Sequence, residues 1–338
     1  MIFPANSTST LILLIFSMFC FAAWSNTQKA AKKWRFELYY LDFGLGMLLC
    51  SIALALTFGS MGTELSVEDN LVIAGKRNMA YAFAAGGVFS LANMMLAGAV
   101  SVAGISVAFP IAFATTMILG IPISMFFGVA GSAVYRGIGG AFLACSILSI
   151  ALAHSEHTET VRERLAALGK KKRDAAGKGI FLSAISGLLM SMFFPLVDLC
   201  KAGEIGLGPY SVGIFAALGA FLMIFPLNLY FMNLPVSGES IGFLAYTKGS
   251  AKQHLLGLLG GIIGYAGLLG LLIAYSVPKQ NFPNAAQVFG LAHGAPLLSM
   301  LFGTLIWKEF SAPTGRTPLL LAGGGLLFAA GLGCLAIA

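Results

Sequence analysis

Ten stretches of the chain, each roughly 20 residues long and nearly free of charge, follow one another from residue 9 to the last residue. A bilayer core about 30 Å thick requires about 20 apolar residues per helix, so each stretch can cross it once. The chain is 58% hydrophobic and 10% charged, whereas a soluble domain carries about 25% charged residues. We therefore predict an all-α polytopic membrane protein. Its predicted transmembrane helices cover residues 9–28, 38–59, 79–100, 104–127, 134–153, 179–199, 210–232, 255–276, 284–307 and 317–337.

The basic residues are distributed unequally between the two sides of these spans. If the loop after the first span is cytoplasmic, the opposite side holds only Lys76, Arg77, Arg136, Lys201 and Lys279. This asymmetry follows the positive-inside rule. We predict a multi-pass protein of the plasma (inner) membrane, with both termini outside, a cytoplasmic 154–178 loop and no nucleic-acid partner. The predicted cytoplasmic residues are Lys29, Lys32, Lys33, Arg35, Arg162, Arg164, Lys170, Lys171, Lys172, Arg173, Lys178, Lys248, Lys252, Lys308 and Arg316.

The longest basic and polar interval divides the ten spans five and five. Because five is odd, two halves with one fold lie in opposite orientations, as inverted repeats do in many secondary transporters. Pro110 in the fourth span and Pro296 in the ninth favour matching kinks, since proline lacks the backbone N–H. We predict two inverted five-helix repeats, 1–153 and 179–338, joined by a basic linker, 154–178.

Polar side chains are costly in hydrocarbon, so those within the spans are the first candidates for function. Asn93 offers both a donor and an acceptor to the amide and imide groups of a ligand. Tyr265 lies among glycines, where its ring can stack on a flat substrate. His293 stands one turn before Pro296. With Thr116, these three residues are the predicted substrate-binding residues, and each also has a structural interpretation as a packing or interhelical hydrogen-bonding group.

Two acidic residues, Glu37 and Asp42, enter the second span. Asp42 lies deeper, where a charge is expensive to maintain, so we predict that Asp42, together with Glu37, exchanges protons during transport. The alternative for Asp42 is an ion pair with Lys33 or Arg35 at the membrane interface. Gate or secondary positions are predicted at Trp24, Asn26 and Gln287.

Several segments together resemble the ureide permease family of the drug/metabolite transporter superfamily. They are FELYYLD at 36–42, ALTFGSMG at 55–62, GGVFSLAN at 86–93, GISV at 104–107 and APLLS at 295–299. The resemblance implies a ten-helix carrier of allantoin and related rings such as uracil, with protons as the coupling ion. It aligns Asn93 and Asp42 with an asparagine and an acid of the family's motifs.

The chain resembles a bacterial-type member, because the long central loop of the plant members is absent. It also has His293 where the plant pattern leads us to expect glutamine. These departures leave open a ribose- or glucose-type sugar transporter of the same superfamily, or a multidrug or metabolite exporter.

Other functional classes have less support. The spans hold no Ser/His/Asp or paired-carboxylate arrangement at one depth, so we expect no enzyme activity, no metal and no cofactor beyond a proton gradient as driving force. A receptor or scaffold is disfavoured because no extramembrane domain is present. The expected partners are a small-molecule substrate and the lipid bilayer, and the protein is expected to be a monomer or a homodimer.

Overall fold

A computed structural model describes residues 1–62, 64–126, 131–168, 176–203, 205–277, 285–311 and 315–338, and within them it contains helices but no β-strand. A 3₁₀ helix, Phe243–Lys248, precedes α10, and a π-helix, Phe302–Ile306, follows α12. The α-helices are α1 (Ser7–Ala30), α2 (Phe36–Leu56), α3 (Val67–Ile73), α4 (Lys76–Ala103), α5 (Ile105–Phe126), α6 (Ala133–Ala167), α7 (Ala176–Met190), α8 (Phe193–Lys201), α9 (Pro209–Asn233), α10 (Ala251–Ala274), α11 (Ala285–His293), α12 (Ala295–Leu301) and α13 (Thr317–Ala336).

Ten helical segments of the described chain are long and apolar enough to cross a membrane, which confirms the predicted all-α polytopic fold. The sixth segment combines α7 with α8, and the ninth combines α11, α12 and the π-helix. The third and fourth spans separate at Gly104, whose φ of 88° lies in the left-handed region that glycine tolerates best.

Several boundaries differ from the sequence prediction. Helix α6 extends to Ala167, so the first part of the predicted 154–178 linker continues the fifth span. The sixth span is interrupted after Met190, because the ring of Pro195 is incompatible with the helical carbonyl of Ser191 four residues earlier. Pro110 lies inside an unbroken α5, whereas Pro296 follows a break at Gly294. Five of the basic residues used for topology lie outside the described residues: Lys170, Lys171, Lys172, Arg173 and Lys279.

The chain forms two compact units, and each draws on both halves of the sequence. Unit 1 comprises Met1–Met94 and Leu189–Ala292, and unit 2 comprises Met95–Leu188 and His293–Ala338. The inverted repeat and the 1–153, 154–178 and 179–338 boundaries remain predictions.

Helix α10 is the central packing element of unit 1, where it contacts α1, α2 and α9. Its glycines face the neighbouring backbones: a Cβ atom at Gly261 would overlap the Phe43 carbonyl oxygen, and a Cβ atom at Gly46 of α2 would overlap the backbone of Leu258. Lipid supplies no hydrophobic drive for helix association, so such close approaches provide much of the packing energy. The glycine-rich sequence therefore specifies the α2–α10 contact.

Hydrogen bonds connect separate loops at each of the two ends of unit 1. The loops that they connect are ones that the predicted topology places on the same side of the membrane. At one end, the backbone N–H of Ile2 donates to the carbonyl of Phe58 (2.9 Å). The hydroxyl of Tyr210 donates to the carbonyl of Ile2 (3.1 Å). At the other end, the Gln253 side chain donates to the Lys32 carbonyl (3.1 Å). The loops after α1 and α9 thus lie together, and their assignment to the cytoplasm remains a prediction.

Unit 2 is built on α6 packed against α13 and α5. The Ser146 hydroxyl donates to the Gly324 carbonyl (2.7 Å). The carboxylate of Glu309 accepts hydrogen bonds from the backbone N–H groups of Ile105 (2.7 Å) and Ser106 (2.8 Å). Glu309 therefore caps the N-terminus of α5, where the helix dipole favours a negative charge.

Matched glycine substitutions test the α2–α10 contact. We expect Gly261→Ala to lower the melting temperature of the purified protein, because the new methyl group overlaps the Phe43 backbone and overpacking costs about 1–3 kcal/mol. Gly87→Ala in α4 is the control: its Cβ would meet no described atom within 4 Å, so helix propensity should keep or raise the melting temperature. Equal stability changes in both variants, measured by thermal unfolding in detergent, would contradict this packing.

Candidate functional site

A buried carboxylate lies near the start of α2 in unit 1. The Asp42 side chain is 2% exposed, although charged groups are costly inside a membrane protein. Its neighbour on α10 is Gly257, where a Cβ atom would overlap the Cβ of Asp42. The absence of a side chain at Gly257 therefore makes room for the carboxylate between the two helices.

Two side chains from outside α2 bind this carboxylate. The Nδ1 atom of His254, in the first turn of α10, lies 3.0 Å from Oδ2 and 3.1 Å from Oδ1 of Asp42. The hydroxyl of Tyr246, in the 3₁₀ helix, donates to Oδ1. We call Asp42, Tyr246, His254 and the adjacent Trp34 the Asp42 cluster. It joins α2, α10, the loop after α1 and the segment before α10.

Aromatic rings enclose the histidine of the cluster. The centroid of the Trp34 ring lies 5.2 Å from that of the His254 ring, edge-on to it, and the centroid of the Tyr246 ring lies 4.6 Å from it.

Burial, reinforced by the hydrogen bond to Asp42 and its negative charge, raises the pKa of Tyr246. The tyrosine therefore stays protonated through neutral pH and keeps its hydroxyl proton to donate to the carboxylate. The cluster thus contains two groups, Asp42 and His254, that can exchange a proton.

Glu37 has a different partner. Its carboxylate forms a two-point ion pair with Arg35, at 2.5 Å from Nη2 to Oε1 and 3.2 Å from Nε to Oε2, and its side chain is fully buried. Arg35 also donates to the backbone carbonyl of Glu239. Because the arginine is always charged, Glu37 has a permanent counter-ion. Arg35, one of the two predicted alternative partners of Asp42, thus binds Glu37.

Two of the predicted substrate residues belong to unit 1. Asn93 is 4% exposed, and its side-chain nitrogen donates to the Phe89 carbonyl one turn earlier (3.0 Å). Tyr265 is fully buried, and its hydroxyl faces Gly213, where a Cβ atom would overlap it. The hydroxyl finds no hydrogen-bond partner among the described residues. Both side chains therefore lie in the interior of unit 1.

The other two predicted substrate residues belong to unit 2. The Thr116 hydroxyl donates within α5 to Ala112 (3.0 Å) and lies 3.1 Å from the carbonyl of Gly187 on α7. His293 is half-buried at the end of α11, next to the break at Gly294. The four predicted substrate residues are thus divided equally between the units.

The predicted gate residues occupy three different environments. Trp24 is 2% exposed and packs against Phe43 with ring centroids 5.2 Å apart. The Asn26 amide donates to the carbonyls of Ala22 and Ala23 on its own helix, both at 3.1 Å. Gln287 is exposed.

A cavity of about 420 Å³ lies at the opposite end of unit 1 from the Asp42 cluster, and its lining includes Lys201, Asn70 and Tyr275. The Lys201 ammonium donates to the Ser276 hydroxyl (3.0 Å). The predicted substrate residues do not line this cavity.

His254, Tyr246 and Trp34 were missed by the sequence reasoning. The predicted eighth span starts at residue 255, so His254 fell one residue outside it. The repeated glycines of α10 were a usable signal, because they bring α10 against the helix that carries Asp42. Tyr246 and Trp34 lie outside the spans, and their meeting depends on the folding of two separate loops.

Comparisons with known proteins agree with the family resemblance. The family model for ureide permeases matches residues 39–180, a range that includes Asp42, Asn93 and Thr116. Ureide permease 1 of Arabidopsis thaliana is 23% identical over 354 residues, covering 86% of each chain. The chain is thus similar to ureide permeases over most of its length. Ureide permease 5 of the same plant is 21% identical over 402 residues, covering 96% of this chain and 93% of its own.

A solved protein structure, described only as the crystal structure of a protein, is similar over 94% of this chain and 97% of its own, with a TM-score of 0.51 and 16% identity. At that identity the similarity concerns the fold alone. The ten apolar helices and the similarity to ureide permeases indicate a multi-pass membrane transporter of a small molecule, and not an enzyme.

A double-mutant cycle tests the Asp42–Tyr246 hydrogen bond. Asp42→Asn and Tyr246→Phe should each lower the unfolding free energy, but the double variant should lose less than the sum, because both changes remove one interaction. Hydrogen bonds to charged groups contribute about 1.5–3 kcal/mol. The control is Tyr230→Phe at an exposed position (57%) of α9, which should not couple to Asp42→Asn. If the double variant loses the sum of the unfolding free energies lost by Asp42→Asn and Tyr246→Phe, the hydrogen bond between the two side chains is not formed.

Proposed function

We propose that this protein is a proton-coupled secondary transporter of ureides such as allantoin, and of related rings such as uracil, working by alternating access. The names of its relatives support the substrate class. The Asp42 cluster is the observation that supports proton coupling. We further propose that the protein lies in the plasma membrane with both termini outside.

Proton coupling requires a buried group whose charge changes in the cycle. The partner of Asp42 is His254, and an imidazole is the side chain that titrates nearest to neutral pH. The pair carries one negative charge when the imidazole is neutral and no net charge when it is protonated. A buried net charge is costly, so proton uptake favours a closed state and proton release favours a state open to water.

The same cluster offers a connection between protonation and movement. Tyr246 binds Asp42 from the 3₁₀ helix, so this hydrogen bond holds the segment before α10 against α2. A change in the charge of the Asp42–His254 pair changes the strength of this bond, because hydrogen bonds to ionised acceptors are the stronger ones. We assign proton exchange to Asp42 together with His254. Glu37 is assigned a structural role: its ion pair with Arg35 fixes the loop after α1.

The substrate contacts are proposed as the sequence suggested them. Asn93 and His293 hydrogen-bond the ring, Tyr265 stacks on it and Thr116 assists. Trp24, Asn26 and Gln287 remain candidates for gating. A carrier changes state only if its ligand binds the inward-open and outward-open states with different affinity, and these residues are proposed to provide that difference.

Uptake into proteoliposomes tests the proposal. We expect labelled allantoin and uracil to accumulate faster under an inwardly directed proton gradient than without one, and we expect ribose not to compete. A sodium gradient of equal size serves as the control. Ribose uptake without allantoin uptake would favour the sugar transporter, and indifference to the proton gradient would remove the coupling role of Asp42.

Asp42→Asn should separate coupling from binding. The amide cannot ionise, so the acceleration by the proton gradient should disappear while exchange of labelled for unlabelled allantoin across the membrane persists. Asp69→Asn, on the short helix α3 far from the cluster in sequence, is the matched control and should keep the gradient effect. Unchanged gradient dependence in Asp42→Asn would place coupling elsewhere.

Asn93→Ala tests the substrate contact. Loss of the amide should reduce allantoin transport by roughly 10-fold or more, as expected for one or two lost hydrogen bonds. Asn233→Ala is the control, because Asn233 is exposed and bonds only its own helix at Leu229 (2.7 Å). Equal transport by the wild type and Asn93→Ala would exclude Asn93 from the site.

A further inference from the structure

An amide on α9 is buried without a hydrogen-bond partner among the described residues. The side chain of Asn228 is 0% exposed, and neither its nitrogen nor its oxygen forms a hydrogen bond with the described residues. A primary amide offers two donors and two acceptor lone pairs, and burying these groups unpaired is unfavourable. Such a group in a transporter points to a partner other than the described residues.

The packing of α9 against α2 locates this amide. A Cβ atom at Gly44 would overlap Ile224, and the rings of Phe36 and Phe231 meet at 5.9 Å. Residues 224, 228 and 231 follow the i, i+4, i+7 spacing of one helix face. Asn228 therefore lies on the face of α9 that contacts α2, between the Gly44–Ile224 contact and the Phe36–Phe231 contact. On α2, the corresponding position midway between Phe36 and Gly44 is Tyr40.

Tyr40 also connects α2 to α4, which carries further polar groups. Its hydroxyl donates to the backbone carbonyl of Ser90 on α4 (3.1 Å). The Ser90 hydroxyl is itself buried and has no partner within the described chain. Asn93 follows three residues later on α4, one helical turn away. Unit 1 thus carries two asparagine amides and a serine hydroxyl on the helices that meet Tyr40.

We propose that Asn228, together with Ser90, hydrogen-bonds the adjacent N–H and C=O groups of the substrate. These two residues would complete the binding site to which Asn93 is assigned. Ureides, hydantoins and pyrimidine diones present an N–H group beside a C=O group, and the N–H and C=O of a primary amide pair with that edge in two parallel hydrogen bonds. A sugar offers no such edge. The inference rests on the proposed function. Since Asn228 is enclosed between α2 and α9, the ring reaches it in the state in which these helices separate.

Asn228→Leu tests this inference, because leucine has nearly the same size and no polar atoms. Without ligand, the melting temperature of the variant should equal or exceed that of the wild type, since two unpaired polar groups are removed. Allantoin should stabilise the wild type, and its apparent affinity for the variant should fall roughly 10- to 100-fold. Ser90→Ala should give a smaller loss. Asn233→Leu, at the exposed end of the same helix, should change neither quantity.

The outcomes separate this inference from the proposed function. An equal response of the wild type and Asn228→Leu to allantoin would overturn the role of Asn228 and leave the proposed function intact. A variant that is less stable without ligand, or that fails to fold, would also overturn it, because the amide would then have a structural partner. If neither allantoin nor uracil stabilises the wild type, the proposed substrate class fails and this inference fails with it.

Discussion

The close approach of α2 and α10 is the contact on which the rest of unit 1 depends. Glycines on both helices remove the side chains that would hold the backbones apart. This proximity brings His254, at the start of α10, to the carboxylate of Asp42 on α2. Without it, a buried acid would face apolar surroundings with no partner, a situation that membrane proteins avoid. The packing that stabilises unit 1 therefore also brings the buried Asp42–His254 pair together.

Glu37 and Asp42 lie five residues apart on α2, and their carboxylates bind different partners. Glu37 is paired with Arg35, whose charge does not change with pH, whereas Asp42 is paired with His254, whose charge does. The first arrangement is suited to holding a loop in place, and the second is suited to exchanging a proton. The residue type alone does not distinguish them, since both are buried carboxylates in the first two turns of one helix.

Hydropathy was sufficient to locate the ten spans, because each apolar run reports directly on membrane burial. The break at Gly104 was also predictable, since small and polar residues interrupt an apolar run there. The partners of Asp42 were not, because His254 and Tyr246 are more than 200 residues away from it in sequence and meet it only through tertiary folding. Asn228 is a polar residue within the predicted seventh span, but only the structure shows that its buried amide has no partner among the described residues.

The capping of α5 by Glu309 restricts how unit 2 can deform. Because this carboxylate holds the first N–H groups of α5, the C-terminal part of the ninth span is tethered to the beginning of the fourth. Separating these two segments would leave the first N–H groups of α5 without this acceptor, so the start of α5 and the chain after the π-helix are expected to keep their contact in any state that unit 2 adopts.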